Sequence, residues 1–277
     1  MITRRQFLRL LAVSPGLGAG VYTWRWEPHW VEIVERRLPV SYLPDCLRGT
    51  RLVQLSDLHI GPHVDDAYLI HAFQSVKSLA PEIVVYTGDF TSHESNILAH
   101  AGRLFPQLPR GSRATFGVLG NHDYGPTWAD PRVADRFVAL ASSAGVRILR
   151  NEVGEVDGLQ IAGLDDPWAG RFEPVRTFAA LDPYRASLVL THNPDTADLP
   201  GWGEYAGWIL AGHTHGGQCK PPFLPPPLLP VRNRRYTSGE FTLPGGRRMY
   251  INRGIGHTLQ VRFNVRPEVT LFHLEPA

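Results

Sequence analysis

Five short apolar runs, each ending in polar residues of metal-binding type, constrain this chain more than anything else in its sequence. Thr50-Arg51-Leu52-Val53-Gln54-Leu55-Ser56 leads into Asp57-Leu58-His59, and Pro81-Glu82-Ile83-Val84-Val85-Tyr86 into Thr87-Gly88-Asp89. Thr115 to Leu119 delivers Gly120-Asn121-His122-Asp123; Ser187 to Leu190 delivers Thr191-His192-Asn193-Pro194; Gly207 to Leu210 delivers Ala211-Gly212-His213-Thr214-His215. Runs of this length and composition read as strands buried on both faces. Helical patterns lie between them: Asp65 to about Leu79, with Leu69, Phe73, Val76 and Leu79 on one stripe; Ser95 to about Phe105; and about Arg132 to Ser143, closed by Gly145. Further strands are expected near 146–149, 159–164, 248–252 and 268–274. Alternating strands and helices imply an α/β domain. In such domains ligands sit beyond the carboxyl ends of the strands, so the five polar clusters can converge there. A chain of 277 residues, 43% hydrophobic and 19% charged, can bury the core this needs in one domain.

The polar set is Asp57, His59, Asp89, Asn121, His122, His192, His213 and His215. Carboxylate, amide and imidazole donors of this mix suit manganese, iron, zinc or cobalt, and they exceed what one ion needs. Two ions are expected, and a buried carboxylate could bridge them. Asp57 and His59, two apart, would share one face of an extended chain. If the backbone is also extended at Asn121 and His122, only one of these neighbours can face a metal. Asn121 is the better ligand because its oxygen is neutral, which leaves His122 to carry a proton, with Asp123 able to orient its ring.

Charge and cysteine content narrow the function classes. Setting aside Arg4, Arg5 and Arg9 leaves 25 basic against 26 acidic side chains, too balanced for the basic stripe of a nucleic-acid binder. Cys46 and Cys219 could form one bridge at most, which excludes a disulfide framework. Residues 1–30 read as an address: Thr3-Arg4-Arg5-Gln6-Phe7-Leu8 has the paired arginines of a twin-arginine export signal, and an apolar stretch from Leu10 to Val21 follows. Ser14, Pro15 and the interspersed glycines weaken that stretch as a span, which needs roughly 20 apolar residues. No clear Ala-x-Ala site is present, so retention as an N-terminal anchor stays open, with Trp24, Trp26 and Trp30 suited to an interface. The expected layout is a signal or anchor at 1–30, a Pro- and Arg-rich linker at 31–48 and one domain at 49–277. Pro221 to Pro230 must be an extended loop, whose Phe223, Leu224, Leu228 and Leu229 suggest contact with lipid or an apolar part of a substrate.

The blocks Asp57-x-His59, Gly88-Asp89, Gly120-Asn121-His122-Asp123, His192 and Gly212-His213-x-His215 resemble, in order, the five signature blocks of the calcineurin-like metallophosphoesterase superfamily. The leader, Glu27-Pro28, His192-Asn193-Pro194-Asp195, Gly216-Gly217-Gln218, Arg253-Gly254-Ile255-Gly256 and Arg266-Pro267-Glu268 extend the likeness to the YaeI/YkuE-type bacterial envelope phosphodiesterases. The resemblance implies a four-layer αββα sandwich, two mixed β-sheets face to face with helices outside. It also implies that Asp57, His59 and His215 hold one divalent metal ion, that Asn121, His192 and His213 hold another, and that Asp89 bridges them. Manganese is the first choice, with iron, zinc or cobalt as alternatives. A bridging hydroxide would attack the phosphorus of a phosphodiester, of a lipid or a cell-wall phosphate, while His122 stabilises the phosphoryl oxygen or protonates the leaving alkoxide. The implied location is the periplasm or the outer face of the cytoplasmic membrane, reached through the twin-arginine translocation machinery. Two rivals remain: a pyrophosphatase acting on a lipid-linked sugar nucleotide, and a non-catalytic scaffold.

Other residues receive plainer readings. His63 and His257 read as exposed loop histidines, Arg253, Arg262 and Arg266 as surface arginines, and Asp165-Asp166 as loop structure or a substrate wall. Cys219 reads as a small buried residue, and His71 and His100 are assigned no function.

Overall fold

The computed structural model describes residues 18–94 and 97–277; the paired arginines and most of the apolar stretch after them lie outside the described residues. Strands β1 (Glu32–Val40), β2 (Arg51–Leu55), β3 (Ile83–Thr87), β4 (Ala114–Val118) and β5 (Arg147–Ile148) join β12 (Glu268–Pro276) in one mixed sheet of order β1-β12-β2-β3-β4-β5. Strands β6 (Glu152–Val156), β7 (Leu159–Gly163), β8 (Ser187–Leu190), β9 (Trp208–Ala211), β10 (Gly239–Thr242) and β11 (Arg248–Ile251) form the second, of order β10-β11-β9-β8-β7-β6. β2, β3 and β4 are parallel, as are β7, β8 and β9, so the chain leaves all six at one end of the sandwich.

Both faces of the central strands are buried, which is why their sequences are nearly continuous apolar runs. Leu52, Ile83, Val85, Phe116 and Val118 meet Ile161, Leu188, Leu190 and Leu210 between the sheets. On the outer face of the first sheet, Val53, Leu55, Val84 and Tyr86 pack under helices α1 (Asp66–Ser78), α2 (Ile97–Leu104) and α3 (Pro131–Ser143). Helix α1 buries Leu69, Phe73 and Val76, each contributing about 1.5–3 kcal/mol, and starts where Asp65 accepts from Ala67 N at 2.7 Å. The outer layer on the second sheet is thinner: Val189, Ile209 and Met249 are covered by Trp202, Tyr236 and Leu243, beside helix α4 (Pro174–Ala179). The result is a sandwich of two mixed sheets with flanking helices, as expected.

Half of the linker expected at 31–48 is a strand. β1 runs parallel to β12 from Glu32 opposite Glu268 to Val40 opposite Pro276. Its Glu35-Arg36-Arg37 and Pro39 hide it from a reading based on apolar runs. It is an edge strand, where exposed charge and a proline without an N–H are tolerated. The end of the expected leader is also part of the body: Glu27 is buried and accepts from Val265 N at 2.6 Å, Thr23 O accepts from Arg262 N, and the Arg266 guanidinium lies 4.0 Å from the centre of the Trp30 ring. Among the described residues no helix is long and apolar enough to cross a membrane.

Candidate metal centre

The rim where β2, β3, β4, β8 and β9 end collects all the candidate ligands. Asp57, His59 and His215 form one group, Asp89, His192 and His213 a second, and His59, Asp89 and His122 a third; within each, one donor atom per residue lies within 4.8 Å of the others. His215 Nε2 is 3.3 Å from Asp57 Oδ1 and 3.0 Å from His59 Nε2. Asp89 Oδ2 lies 3.2 Å from His192 Nε2, 3.6 Å from His59 Nε2 and 3.9 Å from His122 Nε2, so one carboxylate faces both ends of the cluster. His192 Nε2 and His213 Nδ1 are 3.0 Å apart.

The hydrogen bonds behind these rings orient them for a cation. His192 Nδ1–H donates to Thr87 O at 2.8 Å, so Nε2 is the nitrogen turned toward Asp89 and the one a cation would use once its proton has left. His213 does the reverse: Nε2–H donates to Pro230 O at 2.9 Å, leaving Nδ1 facing the cluster. Asn121 Oδ1 is buried without a hydrogen-bond partner, an acceptor held where only a cation or a water would satisfy it. Ser56 Oγ at 2.5 Å and His213 N at 3.0 Å fix Asp57 Oδ2. Four imidazole nitrogens, two carboxylates and an amide oxygen therefore fit a pair of divalent cations.

Burial sets the electrostatics. It pushes His59 and His213 down to about 3 and holds His215 well below the usual histidine range, so these rings are neutral at pH 7, the form that can ligate a cation. Burial also raises Asp57 to about 6. For His192 burial acts against the charge but the Asp89 carboxylate outweighs it, raising the ring to about 10 and pulling Asp89 well below the carboxylate range. A proton there supplies the positive charge that Asp89 requires, and a metal would take its place.

The backbone is unusual at these positions. Asp57, His59, Asp89, His213 and His215 all have φ between 46° and 71°, the left-handed region that costs a side chain of order 1–3 kcal/mol. Asp57 and His59 thus converge through two left-handed turns, not through the alternation of an extended chain. Asn121 to Tyr124 form a 3₁₀ turn, so neighbours pointing to opposite sides is not how Asn121 and His122 are separated either. Two glycines let the loops meet: a Cβ on Gly88 would come within 2.6 Å of the His192 ring, and one on Gly120 within 2.1 Å of Asp89 Oδ1.

Asp123 does not orient His122. Its carboxylate is buried and accepts from Thr91 N, Thr91 Oγ1 and Gly120 N at 3.0–3.1 Å, tying the loops after β3 and β4 together. Burial, reinforced by Asp89, raises it to about 7. The neighbour of the His122 ring is His93, Nδ1 to Nδ1 at 3.2 Å, a residue the sequence reading passed over although it stands four positions after Asp89. His257 and Arg262, expected on the surface, are buried, and Arg253 pairs with Glu268 and Glu32. His63 is exposed, as expected, and Cys219 is a free, partly buried thiol. Asp165 and Asp166 are buried, the first held by Tyr124 Oη at 2.6 Å and Arg150 Nε at 3.1 Å. A cleft of about 660 Å³ lined by Tyr42, Tyr205, Trp208 and Arg248 opens at the other end of the strands, away from every ligand group.

Residues 50–217, which carry all of these ligands, match the calcineurin-like phosphoesterase family. The chain belongs to that family. As a calcineurin-like phosphoesterase it is a metal-dependent hydrolase of phosphoric esters, and the family binds two divalent metals. It is 32% identical to the uncharacterised metallophosphoesterase YkuE of Bacillus subtilis, over 99% of this chain and 98% of that protein. It is 31% identical to the phosphodiesterase YaeI of Escherichia coli, over 99% and 100%. It is 27% identical to the UDP-2,3-diacylglucosamine pyrophosphatase LpxG of Chlamydia trachomatis, over 92% and 94%.

Proposed function

We propose that this calcineurin-like phosphoesterase hydrolyses phosphodiester bonds in the cell envelope, with manganese ahead of iron, zinc or cobalt as its metal. The observation that carries the reading is the rim itself: Asp57, His59 and His215 stand where they would hold one ion, Asn121, His192 and His213 where they would hold another, and Asp89 between them. When bound, two such cations supply charge for the phosphoryl oxygens and acidify a water to near-neutral pKa. The remaining work falls to the protein. Thr87 O and Pro230 O keep His192 and His213 in the ligand tautomer, and Gly88 and Gly120 bring the loops to contact distance. His122, at the edge of the cluster with its Nε2 toward Asp89, is placed to hold a proton for the departing alkoxide. The likeness to YaeI supports a diester over a monoester. Rates of the metal-loaded protein on paired chromogenic mono- and diesters test this, and faster turnover of the monoester would sink it.

The likeness to LpxG favours a second reading, a pyrophosphatase acting on a lipid-linked sugar nucleotide. Location separates the two, because an exported enzyme would not readily meet a nucleotide. The leader supports export: Arg4→Lys with Arg5→Lys should trap the precursor in the cytoplasm with its activity intact, and fractionation that finds the double variant in the envelope would refute the twin-arginine route. A scaffold without catalysis is disfavoured, since every ligand position is filled.

A lipid or cell-wall phosphate is the proposed substrate, and the loop at 221–230 supports a membrane-side contact. Phe223 is fully exposed, Leu224 and Leu228 largely so, and the loop ends at Pro230, whose carbonyl holds His213. Phe223→Ser with Leu224→Ser should weaken vesicle binding and turnover of a lipid diester several-fold while sparing a small soluble diester. An equal loss on both substrates would rule the contact out.

A further inference from the structure

Two tryptophans stand at the mouth of the rim and belong neither to its ligands nor to the core. Trp128, in the turn after His122, and Trp168, in the turn after β7, stack with ring centres 5.5 Å apart and planes at 25°. The centre of the Trp128 ring lies 5.6 Å from that of His122, and the Trp168 ring stands nearly perpendicular to that of His213 with centres 4.7 Å apart. The pair thus runs from the proton carrier on the first sheet to a metal-facing histidine on the second. Both residues keep about two fifths of their surface exposed, 39% and 41%. Neither is loosely held: Trp128 N donates to Gly125 O at 2.9 Å with φ at 58°, and Trp168 N donates to Asp166 Oδ1 at 2.7 Å.

Phosphate and metal recognition need no indole. A stacked indole pair offers a broad, rigid, weakly polar surface, and the partners that suit such a surface are flat rings: a nucleobase by stacking, or a sugar by its C–H face. Its position beside His122, the donor to the departing oxygen, places whatever lies on it on the leaving side of phosphorus. We infer that Trp128 and Trp168 form a shelf that seats a flat ring carried on the leaving oxygen of the substrate. The inference rests on the phosphoesterase reading above, and it adds a requirement on the substrate that the metal ligands do not set.

Binding tests it without requiring turnover. Indole fluorescence of the metal-loaded protein, and inhibition of hydrolysis of a small diester, would be followed with inorganic phosphate, glycerol 3-phosphate, octyl phosphate, glucose 1-phosphate and uridine monophosphate. The ring-bearing ligands should bind about tenfold more tightly than glycerol 3-phosphate. Trp128→Leu and Trp168→Leu should each remove most of that preference and leave glycerol 3-phosphate unchanged, and Trp128→Phe should keep part of it. Whichever of the uridine and glucose ligands loses more affinity identifies the ring. The shelf is refuted if the parent protein shows no preference for rings, if octyl phosphate is the ligand that loses affinity, or if all ligands weaken equally. Failure of inorganic phosphate to bind the parent protein would instead strike the phosphoesterase reading beneath it.

Discussion

His122→Ala should retain two metal ions per chain and a folded body, yet lose about 10²- to 10⁴-fold in turnover, most severely on diesters with poor leaving groups. The ring is at the cluster's edge: its Nε2 is 3.9 Å from Asp89 Oδ2, its Nδ1 faces His93, and it keeps some solvent exposure. His192 is the contrast. It is wholly buried, its Nδ1 is committed to Thr87 O, and its Nε2 lies 3.2 Å from Asp89. His192→Ala should therefore lose occupancy of one metal and leave the Asp57, His59 and His215 group loaded. Metal content by mass spectrometry, measured beside the rates, decides between ligand and proton carrier: loss of an ion in His122→Ala would make that histidine a ligand and overturn the division of roles.

The largest expected loss of stability comes from Arg262→Met. Arg262 is fully buried and, among the described residues, has no carboxylate partner; its guanidinium donates instead to the carbonyls of Val265, Arg253, Gly254 and Gly256 at 2.6–3.2 Å. Burial lowers it to about 10, which still leaves it charged at neutral pH. Methionine fills similar space but leaves those buried acceptors unmet, at a cost of about 3–5 kcal/mol. For a domain of this size the thermal midpoint should fall by roughly 6–20 °C. The loop it holds backs the metal rim, since Ile255 N donates to Ser56 O and Gly256 N to Asp57 O. Affinity for the metal on Asp57 should fall with the midpoint, and calorimetry that found the variant as stable as its parent would refute this account of the arginine.

What the sequence makes legible here is whatever is local. Val84-Val85-Tyr86 or Leu188-Val189-Leu190 can be read as buried strands because burial on both faces leaves no polar position, and the ligands are legible because their residue types follow directly. What is not local stays hidden. Asp123 sits beside His122 in the chain, yet besides the local Gly120 amide its partners are the amide and hydroxyl of Thr91, which only pairing of β3 with β4 brings near. Arg262 looks like a surface residue until the loops around it close over its guanidinium. β1 carries three successive charges on the outside of a sheet edge, so its inward Leu38 and Val40 are too few to signal a strand. The left-handed turns at Asp57 and His59 escape for a different reason: aspartate and histidine enter that region more often than most residues but still rarely, so their presence alone does not announce it.

The pairing of β1 with β12 has a consequence for how the protein is made. Among the described residues β1 has no other neighbour in its sheet, and it pairs with the nine residues Glu268–Pro276, far along the chain. Thr23, Trp24 and Glu27 likewise dock on residues 260–265. Residues 23–40 therefore cannot settle until residues 260–276 have been synthesised, which makes these contacts of very long sequence separation. A copy in which residues 260–276 are missing or misfolded would leave residues 23–40 without the surface they dock on.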